Sequence, residues 1–275
     1  MTRHQAFHDL HQQGCFVIPN PWDAGSARMM AALGAQALAT SSAAHAFTLG
    51  RADMGGVSRD EALAHAQMMV AATPLPVSGD FENGFGDAPD EVAETVRLAA
   101  EVGLSGISVE DTQMVPGNAA YGFDLAVERI QAGVAAARAL NRPFIFCARA
   151  DGVMNGTYDL AEGIRRLQAF EAAGADLLYL PVPPGRAELA QVLASVTKPV
   201  NALAAGALKQ MSVADLAAMG VRRISTGSQI ARLTHAAIQR AVTAMIRDGS
   251  FAPLAGTANG DDIDALLQGG ADNDE

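Results

Sequence analysis

In the stretch GDFENGFGD, Gly79 to Asp87, two acids stand one residue apart behind an apolar run that ends near Leu75-Pro76-Val77, and a flexible Gly-Phe-Gly follows. A second acidic pair, Glu110-Asp111, closes GISVED, and Arg149 and Asp151 close FIFCARAD. Three carboxylates gathered in one place, Asp80, Glu82 and Glu110, repel one another unless a cation sits among them. The donors are all oxygen, and of the six histidines only His45, in a loop, falls near such a position. A hard ion is therefore expected, Mg2+ with Mn2+ as the alternative, rather than zinc. Arg149 adds a planar fork for a substrate carboxylate. Ser41, Ser42 and the neighbouring backbone N–H groups would complete a cradle for the anion. Asp23, Asp53 and Asn201 are further polar candidates. Any one of these acids alone reads as a solvated loop residue, and Arg149 alone as a structural ion-pair partner, so the case depends on convergence.

The elements that would bring them together recur along the chain. Eight short β-rich runs, Cys15 to Pro19, Gln36 to Thr40, Pro76 to Asp80, Gly106 to Glu110, Phe144 to Ala148, Leu177 to Pro181, Pro199 to Leu203 and Arg222 to Thr226, are each followed by a longer Ala-rich segment with helical spacing. Ser58-Arg59-Asp60-Glu61, Asp87-Ala88-Pro89-Asp90-Glu91 and Ser212-Val213-Ala214-Asp215 mark helix starts, and glycines such as Gly34, Gly103, Gly174 and Gly220 mark helix ends. βα repeated eight times predicts a (β/α)8 TIM barrel, whose functional face lies at the strand C-termini. An open doubly wound sheet would carry a glycine-rich phosphate turn after its first strand, where this chain has PNPWDAGS. Residues 1–250 are read as one barrel domain and 251–275 as a C-terminal tail, Gly/Asp-rich from Gly256 onward and loose or partner-dependent.

The 275 residues carry 30 acids against 19 bases, a formal charge of -11, which argues against nucleic acid or an anionic membrane as partner. No segment has the pattern of a signal peptide or of a membrane span, and a cytoplasmic location is expected. Cys15 and Cys147 are read as packed thiols. Trp22 suits packing near the barrel mouth as well as a substrate contact.

GDFENGFG, SVED and CARAD, on a βα repeat that begins PNPWDAGSARMMAALG, resemble the isocitrate lyase/phosphoenolpyruvate mutase superfamily from about Cys15 to Ile246. The resemblance implies a (β/α)8 barrel with its eighth helix, here Gly227 to Ile246, exchanged between subunits of a homodimer or homotetramer. It implies Asp80 as the principal Mg2+ ligand, Glu82 in place of a second Asp, and Glu110 as the acid of an (I/L)ED motif. Asp53 resembles the acid that holds a metal-bound water, Arg149 the residue that binds substrate and stabilises negative charge, and Ser41, Ser42 and Ala43 the loop that takes the substrate carboxylate.

One departure narrows the chemistry. Where the lyases carry a gate with a catalytic thiol, this chain reads DTQMVPGNAAYG, without Cys, Lys or His, and of the phosphonate enzymes' gate residues only Asn118 survives. The superfamily's shared enolate of an α-keto acid needs only a metal and a cation. The reading is therefore a Mg2+-dependent carbon–carbon lyase on a small α-keto dicarboxylate, with oxaloacetate decarboxylation to pyruvate as the specific expectation. Alternatives are oxaloacetate or phosphonopyruvate hydrolysis, 2-methylisocitrate-type lysis, aldol-type cleavage of a bulkier 2-hydroxy acid, or a non-catalytic keto-acid-binding barrel. Met114, Asn118 and Tyr121 are expected to set substrate length.

Overall fold

A computed structural model describes residues 1–271; the last four residues of the tail lie outside the described residues. Eight parallel strands form one sheet: β1 Phe16–Ile18, β2 Leu38–Ala39, β3 Val77–Asp80, β4 Gly106–Glu110, β5 Ile145–Arg149, β6 Leu177–Tyr179, β7 Val200–Leu203 and β8 Arg223–Ser225. They run in the order β1-β8-β7-β6-β5-β4-β3-β2. The ends of that order meet where Ala39 N donates to Pro19 O at 3.1 Å. This is the expected (β/α)8 barrel, each strand lying within the segment read from the sequence or one residue beyond it. Asn20 pins the seam: its Nδ2 donates to Thr40 O at 2.8 Å, and its Oδ1 accepts from Thr226 N at 2.9 Å and Gly227 N at 2.8 Å.

The pleat sorts side chains into two layers, because successive residues of a strand face opposite sides. Phe146, Ala148, Ile107, Val109, Leu178 and Val200 pack outward against the helices. Ile145, Cys147, Leu177, Tyr179, Phe16 and Ile18 pack inward. Arg149 is in phase with Ile145 and Cys147, and so points into the barrel at its C-terminal end. The helix Phe123–Arg138 lies so close to β5 that a Cβ on Gly133 would come within 2.5 Å of the Phe146 ring. The cysteines are free thiols, Cys147 buried among the inward residues.

A helix that the sequence reading did not anticipate, Arg3–Leu10, places Phe7 with the barrel's inward layer. His11 follows it, 3% exposed, and donates from Nδ1 to Phe7 O at 2.7 Å. Burial first, and then the Arg223 charge, lower its pKa from 6.5 to about 3. The unfolded chain therefore binds a proton that the native one refuses, so stability is full above pH 6.5 and falls as the pH drops below it. Between pH 6.5 and 5 the loss from this group is about 2 kcal/mol at 1.36 kcal/mol per unit. Urea titrations at the two pH values, on wild type and His11→Phe, should show the variant's acid dependence shallower by that amount.

Two C-terminal features bear on the expectations. The tail is not simply loose: Asn259 caps a helix, Gly260–Gly269, that packs on the helix Ala24–Ala32. The apolar Ile263, Leu266 and Leu267 give that segment something to bury, despite its Gly/Asp content. The helix Gln229–Asp248 behaves differently, since only Ala231 on it is buried. Leu233, Ile238, Val242 and Ile246 are exposed, Ile246 by 80%. No helix of the described residues is long and apolar enough to cross a membrane.

Candidate active site

A row of register-matched residues crosses five neighbouring strands. Glu110 is paired with Arg149, Arg149 with Tyr179, Tyr179 with Asn201, and Asn201 with Arg223. Arg149 is the hub. Its Nη1 donates to Asp80 Oδ1 at 2.7 Å, and its Nε and Nη2 grip Asp151 at 3.1 and 2.6 Å. Its Nη2 also lies 3.0 Å from Glu110 Oε2, and the guanidinium carbon stands 5.0 Å from the centre of the Tyr179 ring. One cation thus serves three carboxylates in a nearly dry setting, which keeps it firmly charged even though burial works the other way.

Asp80 is held on its other side by the helix Ser42–Thr48. Its Oδ2 accepts from Ser42 N and Ser42 Oγ, both at 2.9 Å, while Ser108 Oγ approaches Oδ1 at 3.4 Å. Thr40 Oγ1 takes the Asp80 backbone N–H at 2.9 Å. Ser41 caps that helix through Ala44 N at 3.3 Å, and Ala43 is its second residue. Ser42, expected to cradle a substrate carboxylate, here donates to the carboxylate of Asp80 instead, and the Ser41 hydroxyl is engaged in the cap.

The loop after β3 explains the Gly-Phe-Gly. Glu82 sits at φ +44° and Phe85 at φ +60°, left-handed values that non-glycine residues adopt only when their surroundings hold them there. The hold is Arg129, 1% exposed, which donates to the carbonyls of Asn83, Gly86 and Asp87 and lies 4.1 Å from the centre of the Tyr121 ring. Nothing in the motif announces it. The available signal was an arginine among Ala126, Ile130 and Gly133 on the buried face of its helix. Asp111 is a second hidden brace, accepting from Asp151 N, Tyr158 Oη and Arg166 Nη1, each at 2.8 Å.

Burial acts strongly on two of the acids. Burial and then the neighbouring Asp151 drive Glu110 well above the usual carboxylate range, outweighing Arg149. Glu110 Oε1 is buried without a partner. Glu82 is pushed up to about 7 by burial, offset by the Gly55 N–H that donates to its Oε1 at 3.1 Å. Burial also raises Asp53, in the same loop as Gly55, although its residue reaches solvent. Asp80, Glu110 and Arg149 therefore meet, while Glu82 stands on the adjoining loop. Among the described residues no three His, Cys, Asp or Glu side chains stand in a metal-binding arrangement. Asn201, expected to bind substrate, is 1% exposed and engaged inside the barrel by Arg223 Nε at 2.7 Å and Ser225 Oγ at 2.9 Å.

The pattern of the phosphoenolpyruvate phosphomutase family matches residues 7–246, almost the whole barrel. The chain belongs to that family. A Burkholderia cenocepacia J2315 protein provisionally assigned as a lyase/mutase superposes with a TM-score of 0.92 at 47% identity, over 96% of this chain and 95% of that one. The 2,3-dimethylmalate lyase of Eubacterium barkeri is 31% identical over 184 residues, 64% of this chain and 62% of its own. The oxaloacetate decarboxylase of Paraburkholderia xenovorans is 29% identical over 226 residues, 80% of this chain and 73% of its own.

Within this phosphoenolpyruvate phosphomutase family barrel, the gate segment is zipped on itself. Thr112 and Ala120 form an antiparallel bridge, Gln113 N donates to Ala119 O at 2.8 Å, and Tyr121 N donates to Asp111 O at 2.8 Å. Tyr121 does not face substrate space, because it is 2% exposed and bonded to Asn83 and Asp87. Met114 packs beside Gly55. The ion pairs of Arg149 lie at the C-terminal end of β3, β4 and β5. Open space lies next to it, in a cleft of about 670 Å³ bordered by Gly55, Glu82, Phe85 and Met114. A further cavity of about 570 Å³, bordered by His11, Lys198 and Arg222, includes none of the Arg149 cluster.

Proposed function

We propose that the chain is a divalent-metal-dependent carbon–carbon lyase for a small α-keto dicarboxylate, with decarboxylation of oxaloacetate to pyruvate as the specific reaction. The observation that carries this is the single guanidinium of Arg149, its side chain 11% exposed at the barrel mouth against Asp80, Glu110 and Asp151. It stands beneath a gate that has neither thiol nor cationic phosphate clamp. The residues fit a hard, water-rich ion, which needs only one or two carboxylates from the protein. Asp80 would be the direct ligand, with Glu82, Asp53 and Glu110 beside it; the unpartnered Glu110 Oε1 is an oxygen with capacity to spare. Mg2+ or Mn2+ bound there would polarise the keto and carboxylate oxygens as a Lewis acid.

The protein's own part follows from the hydrogen bonds. Ser42 fixes the Asp80 carboxylate from one side and Thr40 fixes its backbone, so Asp80 does not reorganise when substrate arrives. Arg149 turns from its acids toward the substrate carboxylate, with the Ser41 hydroxyl and the Ala43 N–H contributing to the anion cradle while Ser42 stays on Asp80. It remains close to the oxygen on which charge accumulates. The carbon–carbon bonding pair flows into the enolate as CO2 leaves, and a proton then adds to the carbon that lost it.

The cleft beside Glu82 favours a second reading, aldol-type cleavage of a larger 2-hydroxy acid, in line with the dimethylmalate lyase relative. A product-resolved NMR assay with Mg2+ separates them, offering oxaloacetate, phosphonopyruvate, 2-methylisocitrate and 2,3-dimethylmalate, each corrected for metal-only background. Pyruvate plus CO2 from oxaloacetate supports decarboxylation, and oxalate plus acetate would mean hydrolysis. Turnover of a hydroxy acid alone would shift the assignment to the second reading. No product from any of the four, with ligand-dependent thermal stabilisation, would leave a binding module.

The exposed apolar ridge Leu233, Ile238, Val242 and Ile246 supports exchange of the Gln229–Asp248 helix between copies in a homodimer or homotetramer. Sedimentation velocity should show an assembly that Ile238→Asp shifts toward monomer.

A further inference from the structure

The carbonyls of loop 81–87 are tied down one after another. Phe81 O accepts from Gly84 N at 2.7 Å, Glu82 O from Glu110 N at 2.9 Å, and Gly84 O from Thr95 Oγ1 at 2.7 Å. Those of Asn83, Gly86 and Asp87 converge on the guanidinium of Arg129, the last two at 2.6 Å. Among the described residues the hydrogen bonds of Arg129 all end on these carbonyls, and a buried charge held by main-chain dipoles alone is costly to keep. What the fold obtains for that cost is a loop fixed in a left-handed course, with Glu82 at its head.

Tyr121 joins this loop to the base of the gate. Its ring lies 4.1 Å from the Arg129 guanidinium carbon, and its hydroxyl accepts from Asn83 Nδ2 at 2.8 Å and donates to Asp87 Oδ1 at 2.5 Å. A carboxylate only accepts, so the phenol proton goes to Asp87 and a lone pair to the Asn83 amide. The Asn83 oxygen is then left for Phe85 N, which donates to it at 3.0 Å. The main chain of Tyr121 belongs elsewhere: its N–H goes to Asp111 O at 2.8 Å, and its carbonyl takes Arg166 Nη2 at 2.9 Å. Arg166 and Asp111 are paired at 2.8 Å, and Asp111 holds the N–H of Asp151, the acid that grips Arg149. One residue thus has its side chain in the Glu82 loop and its backbone in the brace behind Arg149.

Glu82 and Asp80 border one small cavity, and Glu82 Oε1 accepts from Gly55 N at 3.1 Å. With φ at +44°, Glu82 relaxes out of this pose once the loop behind it is released. We infer that Arg129 and the Tyr121 hydroxyl are positioning residues for Glu82, holding its carboxylate beside Asp80, so that the grip on the divalent ion depends on the base of the gate. The inference rests on the metal-dependent reading of the site. It gives Tyr121 a part in the chemistry other than the expected one of setting substrate length.

The test measures Mn2+ affinity by electron paramagnetic resonance, thermal midpoint and oxaloacetate turnover in wild type, Tyr121→Phe, Arg129→Met, Glu82→Gln and the Glu82→Gln/Tyr121→Phe double variant. Tyr121→Phe keeps the ring beside Arg129 and removes only the hydroxyl. Its Mn2+ dissociation constant should rise about 10-fold, the scale of a lost group behind a metal site. Arg129→Met should weaken Mn2+ further and lower the midpoint; should it fail to fold, Tyr121→Phe decides alone. Glu82→Gln should weaken Mn2+ as well, and adding Tyr121→Phe to it should change the affinity no further, because the carboxylate being positioned has gone. A merely structural clamp would lower the midpoint and leave the Mn2+ affinity of the folded protein unchanged. That result, an unchanged affinity in Glu82→Gln, or an equal further loss in the double variant would overturn the inference and leave the metal-dependent reading intact. Wild type that binds Mn2+ but turns over no oxaloacetate would sink the decarboxylase reading, and the affinities would still decide the inference. Wild type that binds no Mn2+ would remove both.

Discussion

Asp80→Ala should abolish measurable turnover, a fall of about 1,000-fold or more in kcat/KM, while the protein stays folded. The loss is large because one side chain holds three relationships. It accepts both Ser42 donors, it takes Arg149 Nη1 at 2.7 Å, and it is the direct metal ligand of the proposed site. About 4 kcal/mol of lost transition-state stabilisation corresponds to that factor. Stability should change little, because Arg149 keeps Glu110 and Asp151, and one of three mutually repelling acids has gone. Asp80→Asn refines the point. The amide oxygen can still accept from Ser42, so the helix Ser42–Thr48 stays anchored while the charge is lost. Activity restored by Asn would show that position rather than charge matters, and would count against the metal role. Steady-state kinetics with Mg2+ titrated from zero, alongside circular dichroism melts, decides this.

Arg149→Lys should cost about 100- to 1,000-fold in kcat although it keeps the positive charge. The native guanidinium spans Asp80, Glu110 and Asp151 with separate nitrogens in one plane, which an ammonium cannot reproduce. Lysine can satisfy one acid well, and the others are left buried and short of donors, so a lower melting temperature should accompany the kinetic loss. The signature to look for is a fall in kcat larger than the rise in KM, because the planar contact matters most as charge moves onto the enolate. Retained full activity would remove Arg149 from the role assigned here.

Much of the fold was legible because a barrel strand must be apolar and short, and its helices must begin with a cap and end with a glycine. Ser58 and Ser212 form the expected capping boxes. The meeting of Asp80, Glu110 and Arg149 was legible for the same reason: strand ends converge whatever the side chains. What did not show was which polar groups face each other below the mouth. Asn201 reads as a strand-end amide, yet its partner is Arg223, which lies beside an equally plausible Arg222 in the sequence. The pleat settles which of the two points inward, and a one-residue error in register would have exchanged them. Arg129 and the Arg3–Leu10 helix escaped notice because an arginine on an Ala-rich helix and a His-rich amino terminus both look solvent-facing until their surroundings are known.

The hairpin from Thr112 to Ala120 has a consequence for how this barrel diversifies. Its ends are tied by backbone hydrogen bonds, which do not depend on side-chain identity, and Asp111 and Tyr121 anchor its base to the barrel wall. The tip, Met114 to Asn118, carries its turn on Pro116 and on the left-handed Gly117 and Asn118. A segment built this way is an interchangeable part. Tips of other lengths or chemistries can be grafted between the same two anchors while the Arg149 cluster stays as it is, so this segment can vary without the ion-pair network being rebuilt.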